Sequence, residues 1–98
     1  MIRVKRILSE EELCGLEIKG HANSDEHGKD LVCAAVSSII TGGFNALDRG
    51  EIEEITLKEG YAKVVINNHA DYSKLVLKVI EIQLLTIEEG YPQYINIK

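Results

Sequence analysis

Two short runs of period-two apolar residues, a polar joint and a run of helical period occur in that order, and then occur in that order again. No other feature limits the fold as tightly. In the first unit IRVKRIL sets Ile2, Val4 and then Arg6 against Arg3, Lys5 and Ile7, which is strand periodicity imperfectly kept. Ser9-Glu10-Glu11-Glu12 makes a polar turn, and LCGLEIKG places Leu16 and Ile18 on one face of a second strand. So short a connection predicts an antiparallel hairpin. The stretch HANSDEHGK, residues 21–29, holds no apolar residue beyond Ala22 and predicts a loop. From Leu31 the spacing turns helical through Val32, Val36, Ile39 or Ile40, and Leu47, with Asp30 as the N-cap and Gly50 as the closing glycine. Gly42-Gly43 weakens the helix interior by about 1 kcal/mol each relative to alanine, and leaves room for another element to come close.

In the second unit EEITLKEG and YAKVVINN form a hairpin about Glu59-Gly60, with Ile55 and Leu57 on one face and Val64 and Ile66 on another. Asp71 is placed to cap a second helix whose expected buried stripe is Tyr72, Leu75/Val76, Val79, Gln83/Leu84 and Ile87. Gly90 and the lone Pro92 end it, and YINIK has strand character. The expectation is a single α+β domain over residues 1–98, in the order ββαββα with a short C-terminal strand. Two helices pack on one face of a mostly antiparallel sheet, and the other face is solvated or used in association.

Charge and cysteine content narrow the function. A formal net charge of −5 argues against a DNA- or RNA-binding surface. Two cysteines, Cys14 and Cys33, do not make a disulfide framework, and MIRVKRILSEEEL has no apolar h-region. The expected setting is therefore the reducing cytoplasm, with no membrane span. A small chain with a modest core is also a natural dimer, covering one apolar face with a second copy.

The chemistry concentrates in GHANSDEHGKDLVCAAVSS, residues 20–38. If Asp30 caps the helix, Cys33 is its third residue. Its sulfur then lies near backbone N–H groups that lack internal partners, which favours the thiolate. His21 is twelve positions upstream, roughly 40 Å if extended, so the loop must fold back for the two to meet. Together they would supply a nucleophile and a general acid, and the polar loop between them a lid. Ser37 lies one turn beyond Cys33 on the same helical face. Each residue also has a plainer role. A cysteine among alanines and valines is a small buried hydrophobe, a histidine after a strand is a surface residue, Asp30 is only a cap, and Ser37 bonds back to a helix carbonyl. His21, His27 and Cys33 lack the short ligand pairs of a zinc site, so no metal is expected. No phosphate-cradling glycine motif implies another cofactor. His69 reads as a loop residue, Cys14 as hairpin packing, and the glutamates at 51, 53, 54, 88 and 89 as solvated faces.

Gly20-His21-Ala22, then Gly28, then Asp30-Leu31-Val32-Cys33-Ala34-Ala35-Val36-Ser37, resembles the bacterial ribosomal-processing cysteine protease family Prp, as does the helix ending in TIEEGYP. The resemblance implies a small α/β homodimer that removes the N-terminal extension of large-subunit ribosomal protein twenty-seven during ribosome maturation. It implies Cys33 as nucleophile and His21 as its base and acid, with Gly20, Asp30 and Ser37 at other characteristic positions and residues 22–29 as the lid. Two other classes stay open. In a non-catalytic ribosome-associated binding module Cys33 would be core. A redox-sensing thiol would oxidise reversibly without hydrolysing peptide.

Overall fold

The computed structural model describes the backbone of residues 1–20 and 27–98 and the side chains of residues 1–20 and 31–98. The strands are β1 (Ile2–Ser9), β2 (Glu12–Lys19), β3 (Ile52–Lys58), β4 (Tyr61–Ile66) and β5 (Ile95–Ile97), and the helices α1 (His27–Ala46) and α2 (Asp71–Gly90), with a single 3-10 turn at Arg49–Glu51. They form one sheet in the order β3-β4-β2-β1-β5. Every pairing is antiparallel except that of β5 with β1. The expected α+β architecture is the one observed.

Both hairpins close through two-residue turns. Glu10 and Glu11 hold φ of 52° and 68° between the paired Ser9 and Glu12. Positive φ at both central positions matches the right-handed twist of a two-stranded ribbon. At the second turn Gly60 supplies φ of +76° between Lys58 and Tyr61. The β1–β2 register slips between Ile7 and Leu8, so Ile7 faces Gly15 while Leu8 faces Leu13. Cys14 is the extra residue of that bulge and packs, half-buried, against the core. Gly15 sits where a Cβ would strike the Val64 carbonyl oxygen of β4, so only glycine lets β2 and β4 approach there.

The period-two faces meet the helices as expected. Ile2, Val4, Leu16, Ile18, Ala62, Val64 and Ile66 are buried on the inner face of the sheet, under Val32, Val36, Ile40 and Phe44 of α1, Leu47 just after it, and Leu77, Ile80 and Leu84 of α2. A buried aliphatic of this size contributes about 1.5–3 kcal/mol. Gly43 provides the close approach. A Cβ there would lie 2.5 Å from Ile80 Cδ1 of α2, whereas Gly42 faces open space.

Four expectations are corrected. First, α1 begins at His27, so Asp30 is its fourth residue and not its cap. An aspartate is favourable throughout the positive first turn as well as at the cap, so its presence does not mark the boundary. Second, α1 ends at Ala46, and Gly50 lies in the 3-10 turn, where its N–H is accepted by Asp48 Oδ1 at 2.9 Å. Third, Asp71 is the first residue of α2, after Ala70, which makes no side-chain cap. The carboxylate that serves this helix end comes from afar: Glu51 accepts from the Ser73 N–H at 2.9 Å, satisfying a first-turn donor. Glu51 is thus a cap and not a solvated face. Glu88 likewise accepts from the Ile97 N–H at 2.8 Å and ties β5 to α2. Fourth, the buried stripe of α2 is Ser73, Leu77, Ile80, Glu81 and Leu84. Tyr72, Leu75 and Val79 of the expected stripe are exposed, at 54, 69 and 55%. Leu84 is buried as expected, and Val76 and Ile87 pack half-buried against the core; the helix is apolar on two opposite sides, and packing centres the buried stripe on Leu77, Ile80 and Leu84.

Candidate active site

An open groove of about 530 Å³ separates α1 from the β3–β4 hairpin. Cys33, Ser37 and Thr41 form one rim. Their four-residue spacing stacks these small polar side chains along a single line of α1. Cys33 is half-buried, while Ser37 and Thr41 are exposed. The hairpin from Leu57 to Ala62 forms the facing wall, and Ile2, Ile18 and Ile40 contribute apolar surface between them. Leu57 shares the inner face with its partner Ala62. β3 is the sheet edge, and Leu57 stays 50% exposed.

Gly20 closes one end of this wall. Its φ is +96°, and a Cβ would lie 2.6 Å from the Met1 carbonyl oxygen, so no other residue fits without strain. Its N–H is accepted by the Gly60 carbonyl at 3.0 Å. The exit of β2 is therefore fastened to the β3–β4 turn on one side and packed against the N-terminal residue on the other. The chain enters residue 21 from a glycine that itself lines the groove.

The structure thus brings three of the expected site residues, Cys33, Ser37 and Gly20, to one groove. His21, the loop 22–29 as a lid, and the side chain of Asp30 lie outside the described residues. Cys33 is the seventh residue of α1, about 9 Å along the axis from its start. That is beyond the first turn, where the terminal field fades, and its N–H falls within the i→i−4 ladder rather than among the four orphan donors. The expected third helical position is corrected accordingly. Neither Cys33 nor Cys14 is in a disulfide among the described residues. Among them, too, no three His, Cys, Asp or Glu side chains converge as metal ligands, and no helix is long and apolar enough to cross a membrane. The hairpin wall, with Leu57 and Gly60, escaped the sequence reading. Nothing local marks β3 as the neighbour of α1, since that adjacency follows from the long-range pairing of β4 with β2.

A family model described as "Cysteine protease Prp" matches residues 1–96. The chain belongs to that family. The ribosomal processing cysteine protease Prp of Mycoplasma genitalium is 39% identical over 84 residues, covering 84% of each chain. That of Staphylococcus aureus is 30% identical over 83 residues, covering 80% of this chain and 78% of the relative. The crystal structure of an essential ribosomal processing protease Prp from S. aureus with a substrate peptide superposes with a TM-score of 0.86 at 28% identity, over 100% of this chain and 98% of that one. A second S. aureus Prp structure carries a covalently linked product peptide and gives a TM-score of 0.82 at 28% identity, with the same coverage. Membership of Prp makes the chain a cysteine protease of the ribosomal-processing type. The groove lined by Cys33 is its candidate active site.

Proposed function

We propose that Cys33 is the nucleophile of this Prp protease and His21 its general base and acid. We further propose that its substrate is the N-terminal extension of large-subunit ribosomal protein twenty-seven, cleaved in the cytoplasm by a homodimer. The observation that carries this is Cys33 lining an open groove of about 530 Å³ between α1 and the β3–β4 hairpin. The covalently linked product peptide in the S. aureus relative is the kind of adduct a thiol nucleophile forms.

The Cys33 thiolate attacks the scissile carbonyl carbon. The C–N bond breaks as His21 gives its proton to the leaving amine, and a thioester remains. Water then attacks the thioester, losing a proton to His21; the C–S bond breaks, releasing the acid and restoring the Cys33 thiolate beside protonated His21. Because Cys33 lies past the first helical turn, the imidazole carries more of its activation than the helix end does. Gly20 holds the strand exit that leads into His21 against the groove wall. Ser37 offers a hydroxyl one turn along the same rim. For the dimer, the exposed α2 stripe of Tyr72, Leu75, Val79 and Ile82 is the apolar face that a second copy would cover.

The test is cleavage of a peptide spanning the extension and the mature N-terminus. Cys33→Ala should lose at least about 10³-fold in kcat/KM with unchanged melting, and His21→Ala should slow both cleavage and thiol alkylation. Full-rate cleavage by Cys33→Ala would overturn the assignment.

A further inference from the structure

The total charge of −5 conceals a cationic surface. Pairing across the sheet fixes which side chains share its outer face: Arg3 with Lys19, Lys5 with Glu17, Lys19 with Tyr61, Glu17 with Lys63, and Lys58 with Tyr61. Asn96 joins them beside Arg3 on β5. Arg3, Lys5, Lys19, Asn96 and Lys98, together with Glu17, surround a hollow of about 270 Å³ on this face. Six of the eleven Lys and Arg residues thus lie on one side, against two glutamates at its paired positions.

Both glutamates are already engaged. Glu54 pairs with Lys63 at 3.1 Å. Glu17 accepts the Tyr61 hydroxyl at 2.7 Å and lies 3.8 Å from Lys19. Its carboxyl is held below the usual range first by that hydroxyl, and then by Lys19, Lys63 and Lys5 acting against its partial burial. Lys58 sits 5.7 Å from the centre of the Tyr61 ring. Arg3, Lys5 and Lys98 have no acid within ion-pair distance among the described residues. Cations on one strand recur about every 7 Å, and those on neighbouring strands extend the array sideways.

We infer that this outer sheet face binds the phosphate backbone of single-stranded RNA. The net charge does not describe this face, because most of the acidic residues lie away from it, on turns, on helices and at the ends and edge of the sheet. RNA is chosen over an acidic protein on the reading of the chain as a ribosomal-protein processor, since the polyanion beside such a substrate is ribosomal RNA. The groove lies on the helical side and the cationic face on the opposite side of the same sheet. One molecule can therefore hold RNA and cleave a peptide at once.

Anisotropy of a fluorescein-labelled oligouridine of about 20 nucleotides, titrated with the full chain, tests this. Binding should fall with a log–log salt slope of about −3 between 50 and 200 mM, as expected for four or more phosphate contacts. Lys5→Glu/Lys19→Glu should weaken it at least about 10-fold, and Arg3→Gln/Lys98→Gln should weaken it less. Both variants should cleave the isolated peptide at the wild-type rate. Cys33→Ala should bind RNA normally, so a failed protease assignment and a failed RNA face are read out separately. Absence of binding, binding unchanged in Lys5→Glu/Lys19→Glu, or displacement of the RNA by equimolar polyglutamate would each overturn the proposal.

Discussion

The strand–strand–helix unit occurs twice, and the two copies end in different situations. The first hairpin lies inside the sheet, with β2 flanked by β4 and β1 flanked by β5. Its exit is fastened by Gly20, and its helix carries one apolar stripe and the Cys33 rim. The second hairpin puts β3 on the edge, where Ile55 and Leu57 stay 40 and 50% exposed although they share the inner face. Its helix is apolar on both sides. The same local pattern therefore yields a scaffold for the Cys33 rim of the groove in one half. In the other it yields an edge that walls the groove and a helix with a spare apolar face. Position in the sheet, and not the pattern within the unit, makes the difference.

The sharpest way to break this comparison is on α2. Leu84→Ala, at a fully buried position, should cost about 3 kcal/mol in urea denaturation. Leu75→Glu on the opposite stripe should leave the circular dichroism unchanged and the protomer within about 0.5 kcal/mol, while sedimentation should show the proposed homodimer shifted to monomer. A strongly destabilised Leu75→Glu monomer would mean that α2 buries the other side. In the first unit, Gly20→Ala forces a Cβ onto the Met1 carbonyl at positive φ and should cost about 2 kcal/mol by the same measurement.

The two turns sharpen the contrast from the other direction. The second already has its glycine at positive φ, whereas the first uses two glutamates. Glu10→Asn/Glu11→Gly should raise stability by about 1 kcal/mol, seen as a higher Tm. The smallest effect concerns the bond joining the units, from the Tyr61 hydroxyl to Glu17. The lowered Glu17 carboxyl stabilises the fold above the carboxylate range, and that contribution is lost as pH falls through its folded value. The raised Tyr61 hydroxyl stabilises below the usual tyrosine range, and its contribution is lost as pH rises through its folded value. Tyr61→Phe should therefore flatten the pH dependence of stability at both ends. Unchanged pH profiles would show that the bond does not form in solution.

The two aspartates expected as caps were misjudged for one reason. Asp30 and Asp71 both lie inside a first turn, where the helix field favours an anion as much as a cap does. The cap of α2 comes from Glu51 across 22 residues, which no local pattern reveals. The shared helical line of Cys33 and Ser37 was legible because a four-residue spacing is a local signal, whereas Gly20 entered only through the family resemblance. Leu57 and the hairpin wall were not legible, because their place beside α1 depends on β4 pairing with β2.

By itself the sequence determined the order of elements, both hairpins, the inner face of each central strand, the single stripe of α1 and the family. These follow from periods of 2 and 3.6 and from turn residues, which act over a few positions. Only the tertiary structure decided which side of α2 is buried, which strand forms the edge, how β5 runs beside β1, and that scattered lysines form one face. Each of these depends on contacts between residues far apart in the chain, and periodicity specifies a face without specifying what covers it.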